Sequence, residues 1–508
     1  MTAALDAPVR PAPVAPIRSA SLSFLRLLRI ELRRSPVVLI LPLIAALFWY
    51  DSYRASMTQQ PLWMLRTFWN MGQAHTIIDF GPFVAGMAAW IGSRDGRRRT
   101  TDLVTAAVRP RWTVALVSWA ATAIWAVAAY LAFVGVLFGV YAAEGVRGEP
   151  PWWWVAVGVT AVVAFSAAGF AVGTFFPSRF AAPLAAFGGF LAMVMSAQTG
   201  FKNPSGWALI LPTNSQGNYE QQDTGIFYPY LPDLPIARIL FLAGILAACL
   251  GLLGLPARAG GRWLRRTAAL VTLAGVATTA TAVVLVGTAQ VDLRGVVIPA
   301  LHDAANDRPI AYTPVCGPAA QTQVCLNPAY GRYLTDVTTA LAPALAEVSG
   351  LPGAPQRVTQ IAATDTGGPA AMAISGSPPV LLFGLGAEAS LPGSNGFQDG
   401  PTTTKDFEGI LRVQFAQAFL GAGTAGDTPA QQAVEAALLQ GAGIPIADQP
   451  KLNAILRQGP GPGVGPATGP VYDAARRLVA MSGTARHAWL AANLAALRSG
   501  ALTLEQLP

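Results

Sequence analysis

The sequence predicts a polytopic α-helical membrane protein of six to seven transmembrane helices with a C-terminal α+β soluble domain. Three observations carry this. Of 508 residues, 53% are hydrophobic and only 12% charged, with mean hydropathy +0.44; soluble domains carry about 25% charged residues. Long apolar runs separated by basic loops fill residues 35–288. From residue 289 the sequence becomes Gly/Pro-punctuated and slightly acidic. Lys and Arg number 22 against 11 Asp and Glu up to residue 288, and 12 against 15 thereafter. The +8 net charge therefore lies in the membrane half, at loops, and does not point to nucleic acid. Three lysines against 31 arginines suggest a GC-rich bacterial genome.

Residues 1–17 are Pro/Ala-rich, lack the apolar core of a secretory signal, and read as a disordered cytoplasmic tail. Residues 18–34 form an amphipathic helix. Leu25, Leu28 and Leu32 make one stripe; Arg26, Arg29 and Arg33 make the neighbouring one and belong at lipid headgroups. Seven candidate spans follow within a membrane domain of residues 35–288. Residues 37–50 are short against the ~20 a span needs. Residues 76–91 carry Asp79 and Pro82 near one end, and 114–141 are long enough to tilt. Residues 152–176 open on Trp152, Trp153 and Trp154, an interfacial belt. Residues 180–197, 236–255 and 267–287 complete the set.

Charge placement orients the chain. With the N-terminus cytoplasmic, inner segments hold 17 Lys and Arg and outer segments 5. Seven spans then export residues 289–508 as an extracytoplasmic domain. Cys316 and Cys325 agree independently, since a disulfide is the natural reading of a close pair outside the cytoplasm. In that domain residues 356–363 and 379–385 read as strands. Helices are expected over 326–348, 406–421, 428–439, 471–481 and 485–497. Two outer loops, 51–75 and 198–235, are aromatic-rich and belong on the outer membrane surface or against the C-terminal domain.

The stretch 91–112, IGSRDGRRRTTDLVTAAVRPRW, is the most basic loop. Thr100 or Thr101 can cap a short helix over 102–108, which Arg109-Pro110 ends. Its arginines either only fix topology or help present that helix to a soluble partner. Elsewhere chemistry is sparse. The three lysines, Lys202, Lys405 and Lys451, none after a glycine, exclude a Walker-type phosphate loop. His75, His302 and His487 are the only histidines, and no zinc motif of familiar spacing occurs. Asp79 is an ionisable group in a span, yet its position near the end favours pairing with Arg54 or Arg66, or capping. Arg238 is expected to snorkel outward. No catalytic or metal-binding residue is assigned, and no span has a charge pattern selective for an ion, sugar or peptide.

Residues 18–288 resemble the permease subunit of a type-2 ABC exporter. The interfacial helix, the short first span and the loop pattern Asp95-Gly96, Thr100–Val104 and Arg109–Arg111 carry the resemblance. It implies a six-span core, a second permease subunit and a separate ATPase holding ATP and Mg²⁺, with no cofactor in this chain. Asp95, Arg97, Arg98, Asp102, Leu103 and Arg109 would contact that ATPase. A seventh span would depart from the pattern, as does the exported domain. The rival reading is a membrane-anchored extracytoplasmic sensor or inactive peptidase-like binding module. Residues 413–421 resemble, in degenerate form, the zinc helix of gluzincin peptidases. Val413, Gln414 and Gln417 stand where His, Glu and His would be, and Glu435 lies one position short of the third ligand. In intact cells, Cys316 and Cys325 should resist thiol labelling until reductant is added. Free reaction at both without reductant would overturn the bridge, and with it the exported topology.

Overall fold

The computed structural model describes residues 17–35, 42, 46, 63, 80–98, 110–202, 209–211, 225–256, 261–292, 295–362, 372–385, 404–421, 428–456 and 467–508. In the N-terminal half these form α1 (Ile17–Arg34), α2 (Phe80–Gly92), the four-residue α3 (Arg94–Arg97), α4 (Arg111–Ala143), α5 (Trp152–Phe175), α6 (Ala181–Lys202), α7 (Asp233–Leu252) and α8 (Gly261–Gly287). Four helices, α4, α5, α7 and α8, are long and apolar enough to cross a membrane. α2 and Ala181–Met195 within α6 are apolar but shorter. The expected span over 37–50 lies almost wholly outside the described residues, as does Asp79.

Small residues set how closely these helices approach. A Cβ on Gly275 of α8 would fall 2.6 Å from the Gly244 carbonyl oxygen of α7; one on Gly244 would meet the Thr279 nitrogen at 2.6 Å. Two turns along, a Cβ on Gly251 would fall 2.6 Å from the Thr272 nitrogen. Gly169 and Gly173 of α5 similarly let the Ala85 and Ala89 backbones of α2 come into contact. Between apolar helices, where burial gives little drive, such close packing supplies the cohesion. Three indoles of α4 add directional ties. Trp112 Nε1 donates to the Leu250 carbonyl (2.9 Å), Trp119 Nε1 to Ser166 Oγ (3.0 Å) and Trp125 Nε1 to the Leu32 carbonyl (3.0 Å). Along α8, Thr272, Thr278, Thr279 and Thr281 each donate to the carbonyl one turn back.

The loops sort to two ends of this bundle. Turns 93–98, 176–180 and 253–256 lie at one end, the far end. Loops 144–151 and 225–232 lie at the other, where Tyr230 donates to the Glu149 carbonyl and the C-terminal domain begins. Trp63, from the first aromatic loop, packs there on Phe138 and Tyr141.

In the C-terminal domain, β1 (Gln290–Asp292) and β2 (Gly295–Val297) form a hairpin. A five-stranded mixed sheet follows in the order β3-β4-β5-β7-β6, from Val315–Ala319, Thr322–Leu326, Arg357–Gln360, Val380–Phe383 and Met372–Ser375. β4, β5 and β7 are parallel; the two outer strands run antiparallel. α9 (Leu334–Glu347), α10 (Thr404–Leu420), α11 (Pro429–Gly441), α12 (Gln449–Leu456), α13 (Pro470–Ala480) and α14 (Gly483–Arg498) supply the helices. Val324, Val358 and Leu381 of the sheet share one core with Leu341 of α9 and Phe415 and Phe419 of α10. Cys316 and Cys325 sit opposite one another on β3 and β4, Cα atoms 4.1 Å apart, and are disulfide-bonded. The helix expected over 326–348 is shorter. Leu326 closes β4, Asn327 Oδ1 accepts from the Ala329 amide, and Pro328 opens a 3₁₀ turn that delays α9 to Leu334.

Loop 225–232 plugs into this domain. Ile226 and Phe227 lie in its core; the Phe227 carbonyl accepts from the Ile310 amide (2.7 Å) and its ring meets Tyr312. The aromatic loop therefore does pack against the C-terminal domain at Phe227. Arg238 corrects an expectation. Instead of reaching outward it is 6% exposed, and its Nε donates to the Leu209 carbonyl at 3.0 Å, which supplies inside the fold the acceptor that snorkelling would have sought outside.

The glycines yield a paired test. Gly275→Ala should lower the thermal midpoint of the full-length protein in detergent. Gly135→Ala, at a helical position with nothing within 4 Å, should leave it unchanged or raise stability by up to ~1 kcal/mol.

Candidate functional site

The far end of the bundle gathers the loop the sequence singles out. α2 ends at Gly92, and Ser93, fully buried, donates through Oγ to the Trp90 carbonyl (3.0 Å). Arg97 folds back over this end. Its Nε donates to Ser93 Oγ (3.0 Å), its Nη2 to the Trp90 carbonyl (2.9 Å), and its guanidinium lies 3.6 Å above the Trp90 ring. A cation at a helix C-terminus also meets the negative end of the helix dipole. Arg97 thus terminates α2 and stacks on an indole, two roles that lysine could not fill together.

Arg94 points the other way. Its two Nη atoms donate to the two oxygens of Glu31 on α1, both at 3.2 Å, and its Nε lies 3.5 Å from Asp95 Oδ1. The Glu31 hydrogen bonds raise the Arg94 guanidinium above its ordinary pKa range. Glu31 is the only acid in a helix with five arginines, and that isolation was the signal in the sequence for a specific partner. Gly96 rests against Pro177 of the 176–180 turn, leaving no room for a side chain. Between α3, α4 and α5 a cavity of about 200 Å³ opens, lined by Arg94, Asp95, Arg111, Ser118 and Thr174.

The structure thus places Asp95, Arg97 and Arg98 on one short turn. Arg97 is committed to α2, whereas Arg98 is exposed. Asp102, Leu103 and Arg109, with the helix expected over 102–108, lie outside the described residues. On α1, Arg26, Arg29 and Arg33 are all exposed. The leucine stripe is divided, however. Leu28 and Leu32 are half-buried, while Leu25 is 59% exposed and lies beside the arginines with Ile30. The cause is that α1 spends part of its apolar face on α4, where Trp125 holds its last turn.

The peptidase-like segment forms α10. Gln417 Nε2 donates to Glu435 Oε1 of α11 at 3.2 Å, so two of the positions singled out do meet. Gln414 is buried, and among the described residues its Oε1 has no hydrogen-bond partner. Val413 packs in an apolar cluster with Leu439 and Ile444. Among the described residues, no group of three His, Cys, Asp or Glu side chains is placed to hold a metal. No protein-family model, curated protein or solved structure matches the chain.

Amides and an isopropyl group at positions 413, 414 and 417 offer zinc no good ligand. The purified protein, equilibrated with zinc and desalted, should carry no stoichiometric metal on α10 by elemental analysis. One zinc per chain, lost in Glu435→Ala, would contradict this.

Proposed function

We propose that this chain is the permease subunit of an ATP-driven exporter of the type-2 ABC class. In this reading it crosses a bacterial plasma membrane six or seven times, with α2 and α6 as short spans beside the four long ones. The N-terminus is cytoplasmic and the C-terminal domain lies outside. It works with a separate ATPase, which holds ATP and Mg²⁺, and with a second permease subunit.

One observation carries most weight. The basic loop leaves the bundle opposite the C-terminal domain, and its first turn is braced, with Arg97 locked on Trp90 and Arg94 held by Glu31. A loop that only sets topology has no use for a bidentate arginine pair and a buried serine. A loop that receives force from a soluble engine does, because a floppy lever transmits little. Arg98 and Asp95 remain at its surface for the ATPase, with Asp102, Leu103 and Arg109 next in sequence. ATP binding would move α3, and with it α2 and α1, and substrate would pass outward between two permease subunits.

The second reading, a membrane-anchored binding module with an inactive peptidase-like domain, is favoured by one contact. Gln417 on Glu435 joins α10 and α11 where a metal site would join them in gluzincins. The two readings separate on Leu103. Leu103→Asp would place an unpaired charge against an apolar docking groove, costing about 2–4 kcal/mol of association if it is a hot spot. Topology should be unchanged, since acidic residues contribute little to orientation. Co-purification with the ATPase and ATPase activity of the complex should both fall. Unchanged values would remove the docking role and leave the binding-module reading ahead.

A further inference from the structure

We propose that Asp233, His302 and Asp307 form a proton-operated latch that fastens the C-terminal domain to helix α7. The inference does not depend on the exporter reading, because it concerns the opposite end of the bundle.

The geometry comes first. Asp233 opens α7 and its side chain is wholly inaccessible. Its Oδ2 accepts from the Ile298 amide (2.9 Å) and lies 3.1 Å from His302 Nδ1. The other ring nitrogen, His302 Nε2, lies 3.1 Å from Asp307 Oδ2. The imidazole is therefore gripped by two carboxylates, one from the membrane bundle and one from the C-terminal domain. Among the described residues, Asp233 Oδ1 has no hydrogen-bond partner.

Proton counting makes this a switch. An ionised carboxylate only accepts, and a neutral imidazole has one N–H donor and one lone pair. Neutral His302 between two ionised carboxylates would leave one nitrogen lone pair facing an oxygen lone pair. The arrangement is satisfied only when the cluster holds one further proton, most simply as imidazolium. The hydrogen bond to Asp307 raises the His302 pKa, Asp233 adds to this, and partial burial opposes it. The ring is 16% exposed and Asp307 40%, so the proton exchanges with the solution on the domain side.

Among the described residues, other charged groups on the packed elements are few. Arg238 of α7 donates to the Leu209 carbonyl. Asp303 accepts from the Ala305 amide, and Arg308 follows that turn. The last turns of α8 and strand β2 carry no titratable residue, and β1 carries Asp292. The sign then follows. A folded-state histidine pKa above the unfolded value of about 6.5 contributes stability fully present below that value. The contribution is lost as pH rises through the folded pKa. The latch is shut while the cluster holds that further proton and loosens as pH rises through the folded His302 pKa, leaving the buried Asp233 carboxylate without its cation.

The chain has only three histidines, which makes direct measurement practical. Imidazole resonances of the full-length protein in nanodiscs, with His75→Gln and His487→Gln variants for assignment, report the His302 titration without altering the latch. A midpoint above the ordinary histidine range is expected; one at or below it overturns the proposal. Hydrogen exchange of the segment containing Ile298, corrected for intrinsic rate, reads the mechanical consequence. Protection in the wild type should fall as pH passes the His302 midpoint, about tenfold for each unit the pKa is raised. In His302→Gln it should be low and flat, whereas Asp303→Asn should keep the wild-type profile. A wild-type profile as flat as that of His302→Gln would also overturn it.

Discussion

Helices α7 and α8 approach until backbone meets backbone, at Gly244, Gly251 and Gly275, and much of the molecule is arranged around that contact. The pair leads into the C-terminal domain twice. The loop before α7 enters its core through Ile226 and Phe227, and α8 runs directly into β1. Were the two helices free to slide, those attachments would pull against each other. Held as a unit, they give the domain a two-point seat. Lipid offers helices little reason to associate, so steric fit between small residues and internal hydrogen bonds has to supply it. The threonines of α8 serve the same end, with hydroxyls turned onto their own backbone and away from hydrocarbon.

The two ends of the bundle are built on different principles. At the far end, long flexible side chains do the fixing. Arg94 and Arg97 reach several residues away, and their partners Glu31 and Trp90 are themselves part-exposed. Exposed ion pairs contribute little to stability, so the value of these contacts lies in orientation. At the domain end the contacts are short and buried, made by backbone amides, a fully enclosed carboxylate and packed rings. The first kind braces the turn after α2 through long side chains, and the second seats the C-terminal domain on α7 through short ones.

Much of the helical layout was legible in the sequence, because apolar runs of span length have few alternative fates. The boundaries of α4, α5 and α8 extend or trim the apolar runs by a few residues only. The helix expected over 428–439 is α11, which opens behind a capping box of Thr428 and Gln431. The disulfide could be read from two cysteines and an expected compartment. What resisted reading depends on long-range pairing. β3 contains Gly317 and Pro318 and does not look like a strand; it becomes one because β4 and the disulfide hold it. β6 is four residues long and is defined by β7. At the candidate site, Arg97 stood out by charge, but its partner Trp90 lies seven residues back in an apolar run that gives no hint of it. Glu31 and Arg94 are 63 residues apart, and Asp233 and His302 are 69 apart. No periodicity links such positions; only the folded bundle does.

The passage from α8 to β1 spans only Thr288 and Ala289. Fully extended, two residues reach roughly 7 Å, and here they are still coiled, each amide bonded three residues back. With α8 in a bilayer, the C-terminal domain is therefore on a leash shorter than a lipid headgroup region is thick. It cannot sweep the space beyond the membrane or search for distant molecules. In that setting its territory is a disc at the bilayer surface, and it meets only molecules that reach that layer.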